Sequence, residues 1–256
     1  MPKKSRIVKE WDEAAESWVD FVNQGKDYFR DELNNPGMLR LIGNIRRKSV
    51  LDVACGEGYN TRQLAGKGAM VTGIDLSEKL IEHARWCEEK NRLGIDYHVM
   101  DSADLSWFPA KHFDLVTCFM ALMDIENYDD ALGEVARVLK DNGRFVFSIT
   151  HPCFEYCIDS EKIEEKMRYF VARRERVPWE MERLLKPFKT TSFHRTLTDY
   201  SNRFHKHGFL VKKLLEPKPT KRETAKFQQL RQVLFRPQSI VFELVKDPVR
   251  SKNPSV

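Results

Sequence analysis

The chain has 256 residues, 41% of them hydrophobic, and 43 Lys and Arg against 38 Asp and Glu, for a net charge of +5. That composition supports one substantial core with an added lobe, and no apolar run approaches the length that spans a membrane. The start, Met1-Pro2-Lys3-Lys4-Ser5-Arg6, lacks the apolar stretch of a secretory signal, and five cysteines (Cys55, Cys87, Cys118, Cys153, Cys157) are scattered without the paired spacing of a zinc site, so free thiols in a cytoplasmic protein are expected.

From Val8 to Arg30 the apolar residues Trp11, Ala14, Ala15, Trp18, Phe21 and Val22 recur at helical spacing, which predicts one amphipathic helix. A further helix is expected over Pro36 to Ile45, leading through Arg46-Arg47-Lys48-Ser49 into a strand. That strand, Val50-Leu51-Asp52-Val53, runs into Ala54-Cys55-Gly56-Glu57-Gly58, and a second, Val71-Thr72-Gly73-Ile74-Asp75, ends on a carboxylate 17 residues after Gly58. Glycines at the carboxyl end of a strand let a ligand lie against the main chain, and an acid at this distance can accept hydrogen bonds from ribose hydroxyls. Thr61 stands where a dinucleotide fold has its third glycine, and Asp52 would repel a diphosphate. Both point to a nucleoside ligand that is cationic or zwitterionic.

These residues resemble the first motif of the class I S-adenosylmethionine-dependent methyltransferases, and the resemblance extends from about Ser49 to Thr150. Gly73-Ile74-Asp75-Leu76-Ser77, followed by a helix over Glu78 to Lys90, is similar to the ribose-binding strand end. A third strand, about Asp96 to Met100, ends in Asp101-Ser102-Ala103-Asp104, similar to the segment that meets adenine. Phe113-Asp114-Leu115-Val116-Thr117-Cys118-Phe119 is similar to the fourth strand, and Leu139-Lys140-Asp141-Asn142-Gly143, after a helix over Asp129 to Leu139, to the turn before a fifth, Arg144 to Thr150. Ala54 departs from the family, where glycine is common. The resemblance implies S-adenosylmethionine as cofactor, S-adenosylhomocysteine as product, and an α/β, Rossmann-like seven-stranded sheet, mostly parallel with an antiparallel final strand and helices on both faces. It implies cofactor contacts from Asp52, Ala54, Gly56, Gly58, Asp75, Leu76, Asp101, Ser102, Ala103, Phe119 and Met120. It also implies that the N-terminal segment covers the cofactor's methionine end, where Tyr28 and Arg30 can meet its carboxylate.

After His151-Pro152 the pattern breaks for more than forty residues rich in aromatics and arginine. The resemblance makes Cys153 to Thr198 a cap over a small-molecule acceptor. A helix over Thr198 to Gly208 and strands over Phe209 to Glu216 and Ser239 to Val245 then close the sheet. The expected organisation is 1–45 as N-terminal helices over the cleft, 46–152 and 199–246 as the core, 153–198 as the cap insertion and 247–256 as a tail. His151, at the carboxyl end of the fifth strand, is the expected general base, with Asp124 and Tyr156 as further catalytic candidates and His194 and Arg195 as substrate contacts. No metal is expected. Positions 161–245 carry 20 basic and 10 acidic residues, against 16 and 26 over positions 11–160. The basic half leaves nucleic acid open as a partner, without the Asn-Pro-Pro-Tyr type motif or stacking aromatics that would favour it. A silent cofactor binder fits the same glycines and acid, and either a monomer or a homodimer is compatible with the chain.

Overall fold

A computed structural model describes residues 5–25, 27–154, 169–181 and 184–249. Seven strands form one sheet: β1 (Ser49–Val53), β2 (Met70–Asp75), β3 (Asp96–Val99), β4 (Phe113–Phe119), β5 (Leu139–Thr150), β8 (Phe209–Leu215) and β9 (Ser239–Lys246). Their order is β3-β2-β1-β4-β5-β9-β8; β9 runs antiparallel to both neighbours and the other pairs are parallel. The reversal of direction around β1 opens a crevice at the carboxyl ends of β1 and β4, where open α/β sheets bind ligands.

Alternation along each strand fills two cores, as period-two geometry requires. Leu51, Val53, Val116, Phe145, Phe147 and Phe242 pack with α5 (Tyr128–Val138) and α6 (Leu197–Lys206) on one face. Val50, Leu115, Val146 and Val241 pack with α2 (Asn35–Ile42), α3 (Tyr59–Gly66) and α4 (Glu78–Lys90) on the other. Across the first face Asp129 of α5 meets Arg203, Lys206 and His207 at 2.7, 2.5 and 2.8 Å, and these hydrogen bonds outweigh partial burial and hold its carboxyl well below the usual range. On the second, Arg144 of β5 donates to the last carbonyls of α2, Leu41 O and Ile42 O, at 3.0 and 2.8 Å and pairs with the buried Glu243 of β9. Among the described residues no helix is long and apolar enough to cross a membrane.

Three boundaries differ from expectation. The helix expected from Val8 to Arg30 divides: α1 covers Arg6–Asn23, Gly25 turns with φ +63°, and a π-helical stretch, Phe29–Asn34, follows. The next helix stops at Ile42, because Gly43 has φ +66°. β5 begins at Leu139 rather than Arg144, with a register shift opposite Phe113/Leu115; a Cβ on Gly143 would lie 2.8 Å from Leu139 Cδ2. Two helical stretches between β8 and β9, α7 (Lys221–Lys226) and a 3-10 segment Gln228–Leu234, were unmarked by periodicity. The segment after β5 contains β6 (Arg173–Trp179) and β7 (Phe188–His194), an antiparallel pair separate from the main sheet.

Candidate active site

β1 ends in a turn that only an unusual backbone can make: Ala54, Gly56 and Gly58 have φ of +52°, +58° and +80°. A Cβ on Gly58 would fall 2.4 Å from Tyr97 Oη, so close packing excludes any side chain there. A Cβ on Gly56 would meet nothing within 4 Å, which leaves one face of the turn open beside the main chain. The Gly56 N–H donates to Asp75 Oδ2 at 2.9 Å and the Ser77 N–H to Oδ1 at 2.8 Å. Asp75 is thereby locked between the turn and the start of α4, and each oxygen retains a lone pair for a further donor.

Ala54 tolerates the left-handed region at a cost of roughly 1 kcal/mol that glycine avoids. Ala54→Gly is expected to raise the melting temperature by about 2–4 °C, given the unfolding entropy of a chain this size. Calorimetry checks it, and a lower melting temperature would refute the strain.

Asp52 sits one layer below the open face. It is 1% exposed, and Thr61 Oγ1 and Thr117 Oγ1 each donate to one of its oxygens at 2.7 Å, fixing α3 and β4 to the end of β1. Burial pushes its carboxyl up to about 7, with the nearby Asp75 and Glu57 adding to the effect against the two hydroxyl donors; burial likewise raises Asp75 to about 6. Because the folded form holds the Asp52 proton more tightly than the unfolded chain, its contribution to stability is complete below about pH 4 and is lost as pH rises through 7. Asp52→Asn should therefore gain on the wild type by roughly 2 kcal/mol between pH 5 and 7, at about 1.4 kcal/mol per unit at the lower end and about half that at pH 7. Chemical denaturation at both pH values measures this, and a difference independent of pH would refute it.

The N-terminal segment closes over this turn. Trp18 Nε1 donates to Glu57 Oε2 at 2.7 Å, and Ser77 Oγ donates to Asp12 Oδ1 at 2.8 Å, so α1 is fastened to the ends of both β1 and β2. Arg30 is 9% exposed; it forks onto Asp31 at 2.8 and 3.1 Å and lies 3.7 Å above the Tyr59 ring, directly after the glycine turn, while its Nη1 is buried without a hydrogen-bond partner. A buried guanidinium donor left unsatisfied costs free energy that an incoming carboxylate recovers. The open face at Gly56, the ribose-ready Asp75 and the spare Arg30 donor fit an amino-acid-bearing nucleoside. Tyr28 instead packs its ring on Phe227 at 4.6 Å.

The remaining expected contacts divide. Leu76 adjoins Asp75 and is half-buried, and Asp101 is exposed, its Oδ1 accepting from the Ala103 N–H at 2.9 Å, with Ser102 buried between them. Phe119 ends β4 and Met120 follows it; Met120 has φ +49° and donates its N–H to Ser148 Oγ at 3.1 Å. Asp124 closes the short helical turn Leu122–Asp124 that follows. Tyr156 and Cys157 lie outside the described residues, and Cys55, Cys87 and Cys118 are free thiols.

His151, His194 and Arg195 are all buried and hydrogen-bonded within the chain. His151 Nδ1 accepts from the Cys153 N–H at 3.2 Å and its Nε2 lies 2.9 Å from Glu216 Oε1, so both ring nitrogens have partners. His194 Nε2 is paired with Tyr169 O at 2.8 Å. Arg195, 8% exposed, donates to Ile125 O at 2.7 Å and more loosely to Leu122 O, Met123 O and Glu126 O, with its guanidinium 3.9 Å from the Tyr128 ring. Residues that sequence reasoning passed over, Trp18, Asp12, Glu57, Thr61 and Thr117, make the cross-connections. Glu57 carried the one available signal, lying between the two glycines.

Known proteins share this arrangement. A family model described as a methyltransferase domain matches residues 51–147. A ubiquinone biosynthesis O-methyltransferase of Coxiella burnetii is 32% identical over 161 residues, covering 60% of this chain and 67% of that protein, and an uncharacterized protein of Haemophilus influenzae is 30% identical over 197 residues, covering 72% and 76%. The crystal structure of an S-adenosylmethionine-dependent methyltransferase from Mesorhizobium loti superposes with a TM-score of 0.66 at 26% identity, over 82% of this chain and 95% of that one. With the strand order, the glycine turn and its acid in agreement, the chain belongs to the class I S-adenosylmethionine-dependent methyltransferases, and S-adenosylmethionine is its cofactor.

Proposed function

We propose that the enzyme methylates a small molecule rather than RNA or protein. The observation that carries this reading is the roof: α1 is pinned to Glu57 and Ser77 directly over the carboxyl ends of β1 and β2, and the β6–β7 sheet packs against α1, its Lys186 N–H donating to Ser17 Oγ at 3.0 Å just before β7. A covered cleft suits a compact acceptor better than a polymer. The name of the Coxiella burnetii relative supports the same class and favours an oxygen acceptor.

Bound S-adenosylmethionine supplies a methyl group on a positively charged sulfur, which a lone pair on the acceptor takes by in-line displacement while the carbon–sulfur electrons return to sulfur. The chain's task is alignment and exclusion of water. Asp75 orients the ribose end, Arg30 the carboxylate, and the strained turn at Met120 presents the end of β4. The proton that an oxygen acceptor carries passes to solvent. The test is incubation of the purified protein with methyl-labelled cofactor and separated pools of small molecules, RNA and protein from a bacterial extract, with Gly56→Asp as the blank. Label in the small-molecule pool is expected; label confined to RNA or protein would overturn the reading.

A further inference from the structure

Four aromatic side chains from three elements meet above the glycine turn: Trp11 and Trp18 of α1, Trp179 of β6 and Phe188 of β7. Trp18 and Trp179 meet edge to face at 5.4 Å, Trp179 and Phe188 stack at 5.7 Å, and Trp11 lies 6.1 to 6.4 Å from the other three. Their position is fixed by polar edges. Trp18 Nε1 reaches Glu57 inside the turn, Trp179 Nε1 donates to Thr190 Oγ1 at 2.8 Å, and Asp12, beside Trp11, holds Ser77.

All four rings stay half-buried, whereas the rings of the main core, Phe113, Phe145, Phe147 and Phe204, are at most 2% exposed. Each ring therefore keeps part of its apolar surface uncovered. The N–H edges of Trp18 and Trp179 are already used, so what these rings offer is apolar face. Of the nearest acids, Glu57 Oε2 is taken by Trp18 and Glu10 Oε1 by Arg6 at 2.7 Å and Arg176 at 3.4 Å, while Glu10 Oε2 is buried without a hydrogen-bond partner. What the four rings offer an acceptor is a flat apolar wall at stacking distance.

We infer that this wall is the acceptor subsite and that the acceptor carries an aromatic ring. The inference rests on the small-molecule reading above and narrows it. A ring held against Trp179 and Phe188 lies beside Trp18, whose indole N–H reaches Glu57 in the glycine turn. Cofactor binding depends on other residues, so the two functions separate by mutation.

The test uses the full-length protein saturated with S-adenosylhomocysteine and 4-nitrophenol as a probe, followed by quenching of tryptophan fluorescence, together with labelled methyl transfer to pools of phenols and of aliphatic amines and acids. Saturable quenching and label in the phenol pool are expected. Trp179→Ala should raise the acceptor KM about tenfold, the loss of one stacked partner, with the S-adenosylmethionine Kd within twofold of wild type. Trp179→Phe, which keeps a flat face, should restore KM to within about threefold and guards against a folding defect in the alanine variant. Transfer to the aliphatic pool alone, or an unchanged KM in folded Trp179→Ala, would overturn the aromatic subsite and leave small-molecule methylation standing. Label only in macromolecules would overturn both.

Discussion

Gly56→Asp should abolish S-adenosylmethionine binding, weakening it by a factor of at least about 100, while the protein still folds. Two effects act together. At φ +58° any side chain is strained by about 1–2 kcal/mol, a cost the fold of a 256-residue chain can bear. The new carboxylate then projects into the open face beside the turn, where a Cβ now meets nothing, and fills the space the cofactor needs. It also arrives beside Asp75, whose Oδ2 accepts the Gly56 N–H, and adds negative charge to a carboxyl that burial already lifts to about 6. Calorimetric titration reads the affinity, and circular dichroism with a melting curve confirms folding. Retention of wild-type affinity would remove the glycine turn from the cofactor site. Gly56→Ala is the graded companion: it adds the strain and one methyl group but no charge, and should cost about tenfold.

That turn was the most legible part of the chain because its chemistry is local. Alternating apolar residues marked the strands, and Gly56, Gly58 and Asp75 fall within twenty residues of one another, so that spacing alone predicted their meeting. The contacts that brace the site are of another kind. Trp18 and Glu57 are 39 residues apart, and Arg195 reaches carbonyls some 70 residues away. Backbone carbonyls carry no sequence signature, so an arginine that serves them looks the same as one that awaits a substrate. His194, paired with Tyr169 O, is a second case of a side chain engaged by a backbone carbonyl. The β6 strand shows a second limit. Its residues alternate between half-buried and exposed from Arg173 to Trp179, yet charged side chains occupy both sides, and Arg173 and Glu175 pair with each other along one of them. A half-buried ion pair hid the period of two that apolar residues would have revealed. Gly25, by contrast, was visible, and its positive φ divides what helical spacing had joined.

Arg195→Ala is the second variant with a large expected effect, and it should act on turnover rather than on cofactor binding. The loop from Met120 to Glu126 leaves β4 at the crevice where the reacting atoms must meet, and it starts from a strained residue, Met120 at φ +49°. Such a backbone persists only where its surroundings over-determine it. One support is Ser148 Oγ, which accepts the Met120 N–H; the other is Arg195, whose two terminal nitrogens reach four carbonyls of the loop while Tyr128 packs against the guanidinium face. Removing it leaves buried carbonyls without donors, at about 1–3 kcal/mol each for those that water cannot reach, and frees the loop to relax. A shift of about 1 Å there is enough to lower kcat roughly 100-fold through lost alignment. Arg30, Asp75 and the glycine turn are untouched, so the S-adenosylmethionine Kd should stay within about threefold. Arg195→Lys keeps the charge but has no planar fork, and should recover only part of the rate. Equal losses in kcat and cofactor affinity would show a general folding defect, and full activity in Arg195→Lys would show that charge, not the bridging of the loop, is what the position supplies.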